Sequence, residues 1–372
     1  MAYRSLASLG ATAAMLVAHA FAQQSPAPDQ KPAASEAAKP AAAAKPKTWT
    51  VPRLPDGHPD LQGVWTNATL TPLQRAQQFA SKATLTEAEA TAFEKTQQET
   101  TVADKRGDTP ERDLGQAYNL LFYDRGSNLA RVDGQIRTSL IVDPPDGHLP
   151  PRVDGSMGRG GRRGGATGAA AAAPQASEEG APRGAAFVAG RFDSVKDRPL
   201  AERCLVGFSS TSGPPMMPAA YNSNYQIVQS QDTIMILVEM VHDVRLIRMD
   251  GSPHLPPTVT KWLGDSIGHW EGDTLVVDTT NFTNKTRYQG TGPELHVIER
   301  FKRTDDHTIL YRFTIDDPAV FTKQWTAEYP FLASRENIYE YACHEGNYAM
   351  PDILGGARKD DESAAKKGST RP

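Results

Sequence analysis

Glu239, His242 and Arg245 sit in a run of Ile, Leu, Val and Met between positions 233 and 248. A charge on an apolar strand must find a partner or change its protonation state, so this clustering points to polar groups lining a cavity. A histidine titrating near neutrality can take and return a proton, and a carboxylate within reach sets its tautomer. With His269 added from a neighbouring rigid turn, Glu239, His242 and His269 form a candidate acid–base set, and Arg245 is placed to hold an anionic part of a ligand. Read as one strand, 233–248 puts Glu239 and Arg245 on one face and His242 on the other, so only a bulge joins all three. The plainer alternative is a Glu239–Arg245 ion pair on a barrel wall, with His242 at the surface.

The segment 262–282, WLGDSIGHWEGDTLVVDTTNF, reads as a strand, a tight turn at Glu271-Gly272 and a return strand over 274–279. The turn would fix His269, Trp270, Asp273 and Asp278 on a rigid ribbon. Asp265 or Glu271 could orient His269, and Asp265 is also a candidate for ligand binding. Ser266 has no Gly-x-Ser-x-Gly elbow around it, which argues against a serine nucleophile. The alternative is that Asp265 and Ser266 cap a turn through their own side chains. Further along, His344 and Glu345 follow Cys343 in a polar, aromatic stretch, and with Tyr221 and Asn222 they could line a pocket; otherwise that stretch is a terminal loop. His58, His148 and His254 each follow an Asp-Gly turn, and three such loops meeting at a barrel mouth would make a three-histidine metal site. None has the short spacing usual for histidine ligands, so they read as exposed loop residues, and neither a metal nor a cofactor is assigned.

The elements that must carry these residues are mainly β. Apolar or β-branched runs at 225–229, 233–248, 274–279, 295–303, 308–315, 324–329 and 339–343 alternate with turn signals such as Asp250-Gly251 and Asp316-Asp317-Pro318. Closely spaced strands with short turns predict an antiparallel meander, which hides its edges by closing into a barrel or a sandwich. Within it, Val297, Glu299 and Phe301 share one face while His296, Ile298 and Arg300 share the other. Upstream, 60–65 reads as a short strand and 137–143 as another, stopped by Pro144-Pro145. A helix starts at the Thr86-x-x-Glu89 capping box and runs to about Gln98, forming an N-terminal helical elaboration.

Arg4, the apolar stretch from Leu6 to Phe21 and the small-x-small site Ala20-Phe21-Ala22 predict a signal peptide over 1–22 and a periplasmic or secreted location. Residues 23–48 read as a disordered Ala/Pro/Lys linker, 49–357 as a single β-rich domain with a dispensable insertion at about 152–184, and 358–372 as a disordered tail. No later run has the length of a membrane span. Export makes a Cys204–Cys343 disulfide the expected state of the two cysteines, with two buried thiols as the alternative. Lys+Arg 40 against Asp+Glu 44 leaves a net charge of −4, without the basic excess that nucleic-acid binding requires. Oligomeric state is open.

Gly-Val-Trp at 63–65, Arg-Thr-Ser-Leu-Ile-Val-Asp-Pro-Pro-Asp-Gly at 137–147, Tyr-Gln-Ile-Val-Gln at 225–229 and Gly-Asp-Ser-x-Gly-x-Trp-Glu-Gly-Asp-Thr-Leu-Val-Val at 264–277 resemble a family of secreted proteins of acidobacteria and proteobacteria. The resemblance covers most of 50–357 and implies export and these fold boundaries, with no activity to carry over. An early Gly-x-Trp before a β-meander is also loosely similar to calycin barrels. Two functions are therefore expected. One is an exported enzyme doing lyase- or hydrolase-type acid–base chemistry on a small polar, glycan- or aromatic-derived compound. The other is a non-catalytic, calycin-type binder of a small molecule.

Overall fold

Alternation along the strands builds the molecule. In the segment TIMILV at 233–238, every second residue is buried, and Ile309, Tyr311, Phe313 and Ile315 are wholly buried at every second position of another strand. Such chains bury one face and wet the other. The computed structural model describes residues 49–102, 125–153, 194–198, 200–207, 213–285 and 288–368. The expected signal peptide, the 23–48 linker and nearly all of the 152–184 insertion lie outside the described residues.

In chain order the elements are β1 (Gly63–Thr66), β2 (Thr84–Leu85), α1 (Glu87–Val102), β3 (Arg131–Val132), β4 (Gln135–Arg137), β5 (Ile141–Asp143), β6 (Asn224–Gln229) and β7 (Thr233–Val238). They continue with β8 (Val244–Arg248), β9 (Asp265–Glu271), β10 (Thr274–Thr280), β11 (His296–Arg303), β12 (Thr308–Asp316), β13 (Trp325–Ala333) and α2 (Ala349–Gly368). Strand β1 pairs with β6 on one side and with β13 on the other, closing a barrel of nine strands in the order β1-β6-β7-β8-β9-β10-β11-β12-β13. Closure leaves the ring without a free edge. Strand β5 pairs with β13 along the edge that β1 also uses, and β2, β4 and β3 form a small separate sheet. With α1 this sheet buries Leu85, Ala90, Leu129 and Ile136, so the expected N-terminal elaboration is a helix on a three-stranded sheet. Its capping box forms as expected: the Glu89 carboxylate accepts from Thr86 N at 3.0 Å, and Glu89 N donates back to Thr86 Oγ1 at 3.3 Å.

The barrel axis is filled. Trp65, Tyr225, Phe301, Tyr311, Phe313, Trp325, Tyr329 and Phe331 are each at most 2% exposed. Their rings meet at centroid distances such as 4.9 Å for Tyr311–Phe331 and 5.3 Å for Tyr225–Phe331. Tilted and stacked contacts of this kind add to the energy of burial.

Several expectations need correction. Residues 233–248 are two strands rather than one. Val241 and His242 take positive φ values of 62° and 53° in a 3-10 turn at Met240–His242, and β8 folds back on β7 with Ile236 opposite Arg245. The meander is also interrupted, because β8 and β9 run parallel, with Ile247 opposite Ser266. A parallel pair cannot be joined by a tight turn, which is why residues 249–264 form a crossover on the outside. The expected strand 137–143 is split where Thr138 Oγ1 donates to Lys82 O at 2.6 Å and Ser139 Oγ to Ile141 O at 3.0 Å. Residues 339–343 form no strand, and the expected tail is helical as far as Gly368. At the start of the insertion, Val153 N donates to Val320 O at 3.0 Å, so residues up to 153 belong to the fold.

Candidate functional site

The crossover lies over a set of ionisable groups on the outer face of β8 to β11. Its entry is tied down at a turn, where Asp250 Oδ1 accepts from Ser252 N at 3.0 Å. Arg248, at the end of β8, donates to Ser252 Oγ at 2.5 Å, Pro253 O at 3.1 Å and Asp265 Oδ2 at 2.8 Å. Its exit is held by Asn281 Nδ2, which donates to Leu255 O at 2.8 Å. These bonds lay His254 against β9 and β10. Nδ1 of His254 lies 3.2 Å from Asp265 Oδ2, and Nε2 lies 3.0 Å from Asp278 Oδ1. The same Asp278 oxygen is 2.9 Å from His296 Nε2. The result is a continuous chain, Asp265–His254–Asp278–His296, in which two imidazoles share one carboxylate oxygen.

The charges of this chain are set by its contacts. Burial alone would push the Asp265 carboxyl upward, but donation from Leu255 N, Lys261 and His254 outweighs it and holds Asp265 well below the usual range. Burial likewise works against ionised Asp278, and the bond and charge of His296, followed by His254, overcome it. His296 is raised in return, first by its hydrogen bond to Asp278, against partial burial. Beside this chain lies a cleft of about 250 Å³ lined by Arg248, Gly251, Ser252, Ile267, Gly268, His269 and Asp278. Gly268 permits the close approach of β8, since a Cβ there would meet Met249 Sδ at 2.6 Å and Ile247 Cγ2 at 2.8 Å.

The residues singled out from the sequence are not gathered into one site. Glu239 and His242 act as a clamp. Glu239 accepts from Asn224 Nδ2 at 2.8 Å and Tyr339 N at 3.2 Å, while His242 Nε2 lies 3.1 Å from both Tyr339 O and Tyr341 N. They hold a strap formed by 339–343, whose Tyr341 ring stacks on Tyr221 with centroids 6.5 Å apart. Asn222 occupies a positive-φ position just before β6, and His344 and Glu345 are exposed after Cys343. His269 stands on the outer face of β9, 60% exposed, 3.2 Å from Glu271. Ile247 opposite Ser266 puts His269 three positions beyond that level and Val244 three before it. At roughly 3.3 Å per residue, His269 is therefore about 20 Å along the barrel from the His242 turn. The proposed joint use of Glu239, His242 and His269 does not fit this geometry.

Arg245 points inward and pairs with Glu299, not with Glu239. Its Nη1 and Nη2 donate to the two Glu299 oxygens at 3.0 and 2.5 Å, with both side chains at most 1% exposed. Tyr311 OH also donates to Glu299 at 2.7 Å, and burial drives its pKa well upward. Asp265 does belong to the outer cluster, although its histidine is His254 rather than His269. His254 separates from the other two turn histidines: His58 stacks on Trp270 at 5.1 Å, and His148 is exposed. Ser266 faces Thr279, Oγ to Oγ1 at 2.8 Å. His296 and Arg248 were not singled out as site residues. The only sequence sign of His296 is its place on the face of its strand opposite Val297, Glu299 and Phe301; the structure makes that the outer face, which Asp278 shares.

The Cys204–Cys343 disulfide is present, with Cα atoms 5.7 Å apart across a sequence separation of 139. Among the described residues no helix is long and apolar enough to cross a membrane. No family model, no curated protein and no solved structure matches the chain.

Proposed function

We propose that the protein is an exported enzyme performing acid–base chemistry, of lyase or hydrolase type, on a small polar, glycan- or aromatic-derived compound bound at the outer cleft. The observation that carries this reading is the convergence of His254 and His296 on one oxygen of Asp278 beside that cleft. Asp278 is the group that would touch the substrate. The two imidazoles fix its orientation and hold it ionised as the proton acceptor, and Asp265 fixes the ring of His254 from the far side. Arg248, Ser252 and His269 supply polar contacts along the cleft wall. Export is supported by the signal-like segment 1–22 and by the disulfide. A calycin-type binder would hold its ligand along the barrel axis, which aromatic rings occupy here, so the outer cleft carries the reading.

Incubating the mature protein with a panel of periplasmic metabolites, read by mass spectrometry, tests it. A substrate found in this way should be turned over more slowly, by a factor of roughly 10²–10⁴, after Asp278→Asn or His296→Gln, with folding intact. Turnover at the parent rate in both variants would overturn the assignment.

A further inference from the structure

At the end of the barrel where β9 turns into β10 lies a second hollow, of about 400 Å³, lined among others by Trp49, Arg53, Asp273, Lys302 and Arg303. Its cations are unequally neutralised. Arg53 pairs with Asp273 at 2.7 Å. Arg303 spends its three nitrogens on neutral carbonyls, those of Asp60, Asp305 and Asp306 at 2.6, 3.3 and 3.1 Å, and lies 5.6 Å over the Trp65 ring. Lys302 is exposed on the outer face of β11 and has no acidic partner among the described residues. Two positive charges thus border the hollow without a carboxylate in contact, which favours an anion there. Trp49 adds a flat apolar surface: the residue is 38% exposed, and its indole is held by Nε1 donating to Asp306 Oδ1 at 3.0 Å.

We propose that this hollow binds a small molecule bearing a carboxylate on a ring, with the carboxylate near Lys302 and the ring against Trp49. A volume of this size accepts one sugar or one aromatic ring with its substituents. The anion anchors by charge, and the ring face supplies apolar contact to the indole. The site is independent of the acid–base chain at Asp278.

Calorimetric titration of the full chain with glucuronate, 4-hydroxybenzoate and neutral glucose tests it. The expected result is saturable binding of at least one acid, weakened by added salt, with none for glucose. Glucuronate binding identifies a sugar acid and hydroxybenzoate binding an aromatic acid. Lys302→Glu and Trp49→Ala should each weaken binding by about tenfold or more at unchanged melting temperature, and Lys302→Gln serves as the milder charge variant. The proposal is overturned if neither acid saturates, if glucose binds equally well, or if the variants bind as tightly as the parent.

Discussion

His296 Nε2 donates to Asp278 Oδ1 at 2.9 Å, linking diagonal neighbours on the outer face of β10 and β11. An ionised carboxylate only accepts, so the shared proton belongs to the ring. Each group therefore stabilises the charged form of the other, and His254, 3.0 Å from the same oxygen, adds to the lowering of Asp278.

This pairing sets a pH signature. His296 is raised above its usual 6.5, so its contribution to stability is complete below that pH and is lost as pH climbs through the raised value. Asp278 is lowered below its usual 3.8, so its contribution is present above that pH and is lost as pH falls through the lowered value. The two coincide between pH 3.8 and 6.5. In melting experiments, His296→Gln should lower the transition more at about pH 5 than at about pH 9. By NMR, His296 should titrate above 6.5 in the parent and shift downward in Asp278→Asn. A parent value at or below 6.5 would refute the pairing.

The interior pair is a second target. Arg245 and Glu299 are enclosed by apolar side chains, so removing one partner strands the other charge. Arg245→Met or Glu299→Leu should each cost about 3–5 kcal/mol in denaturant unfolding, and the double replacement should cost clearly less than their sum. Strict additivity would mean that the pair is not coupled.

Cutting the Cys204–Cys343 bridge should loosen the strap that Glu239 and His242 clamp. For a loop of this length the chain-entropy argument gives about 4–5 kcal/mol, so a loss of roughly 2–5 kcal/mol is expected for Cys204→Ser. Reduction of the parent protein should match that loss. Intact-mass analysis after alkylation without reductant should find neither cysteine modified.

Gly264 has φ of +72°, and a Cβ there would sit 2.7 Å from Thr280 O and 2.6 Å from Thr279 Cγ2. Backbone cannot give way as a flexible side chain can, so Gly264→Ala should destabilise by about 1–3 kcal/mol. Because Asp265 follows directly, the same change should weaken the hold on His254, seen as a shift of its imidazole resonances. Gly272→Ala, where no atom lies within 4 Å but φ is +58°, tests backbone strain alone and should be milder.

Much of the fold was written in local pattern. Period-two burial marked β6 and β9 to β13 to within a few residues, Thr86 and Glu89 announced α1, and Gly272 announced the hairpin. Alternation set Val297, Glu299 and Phe301 on one face and His296, Ile298 and Arg300 on the other, because side-chain direction along a strand follows from sequence position, and burial shows the first set to be the inner one. The cysteine pairing followed from there being two of them in a chain read as exported. The parts that pattern missed are set by contacts between distant segments. Nothing in the mainly apolar run 233–248 showed that Val241 and His242 would reverse the chain, and that reversal turned one expected strand into a hairpin and sent Glu239 and His242 to a strap about a hundred residues away. Similarly, only the parallel crossing of β8 and β9 brings the 249–264 loop over the barrel wall, where His254 falls between Asp265 and Asp278. Residue types and alternation determined which side chains face water. Which of them meet was decided by strand order and the path of the crossover, properties of the closed barrel that no local window contains.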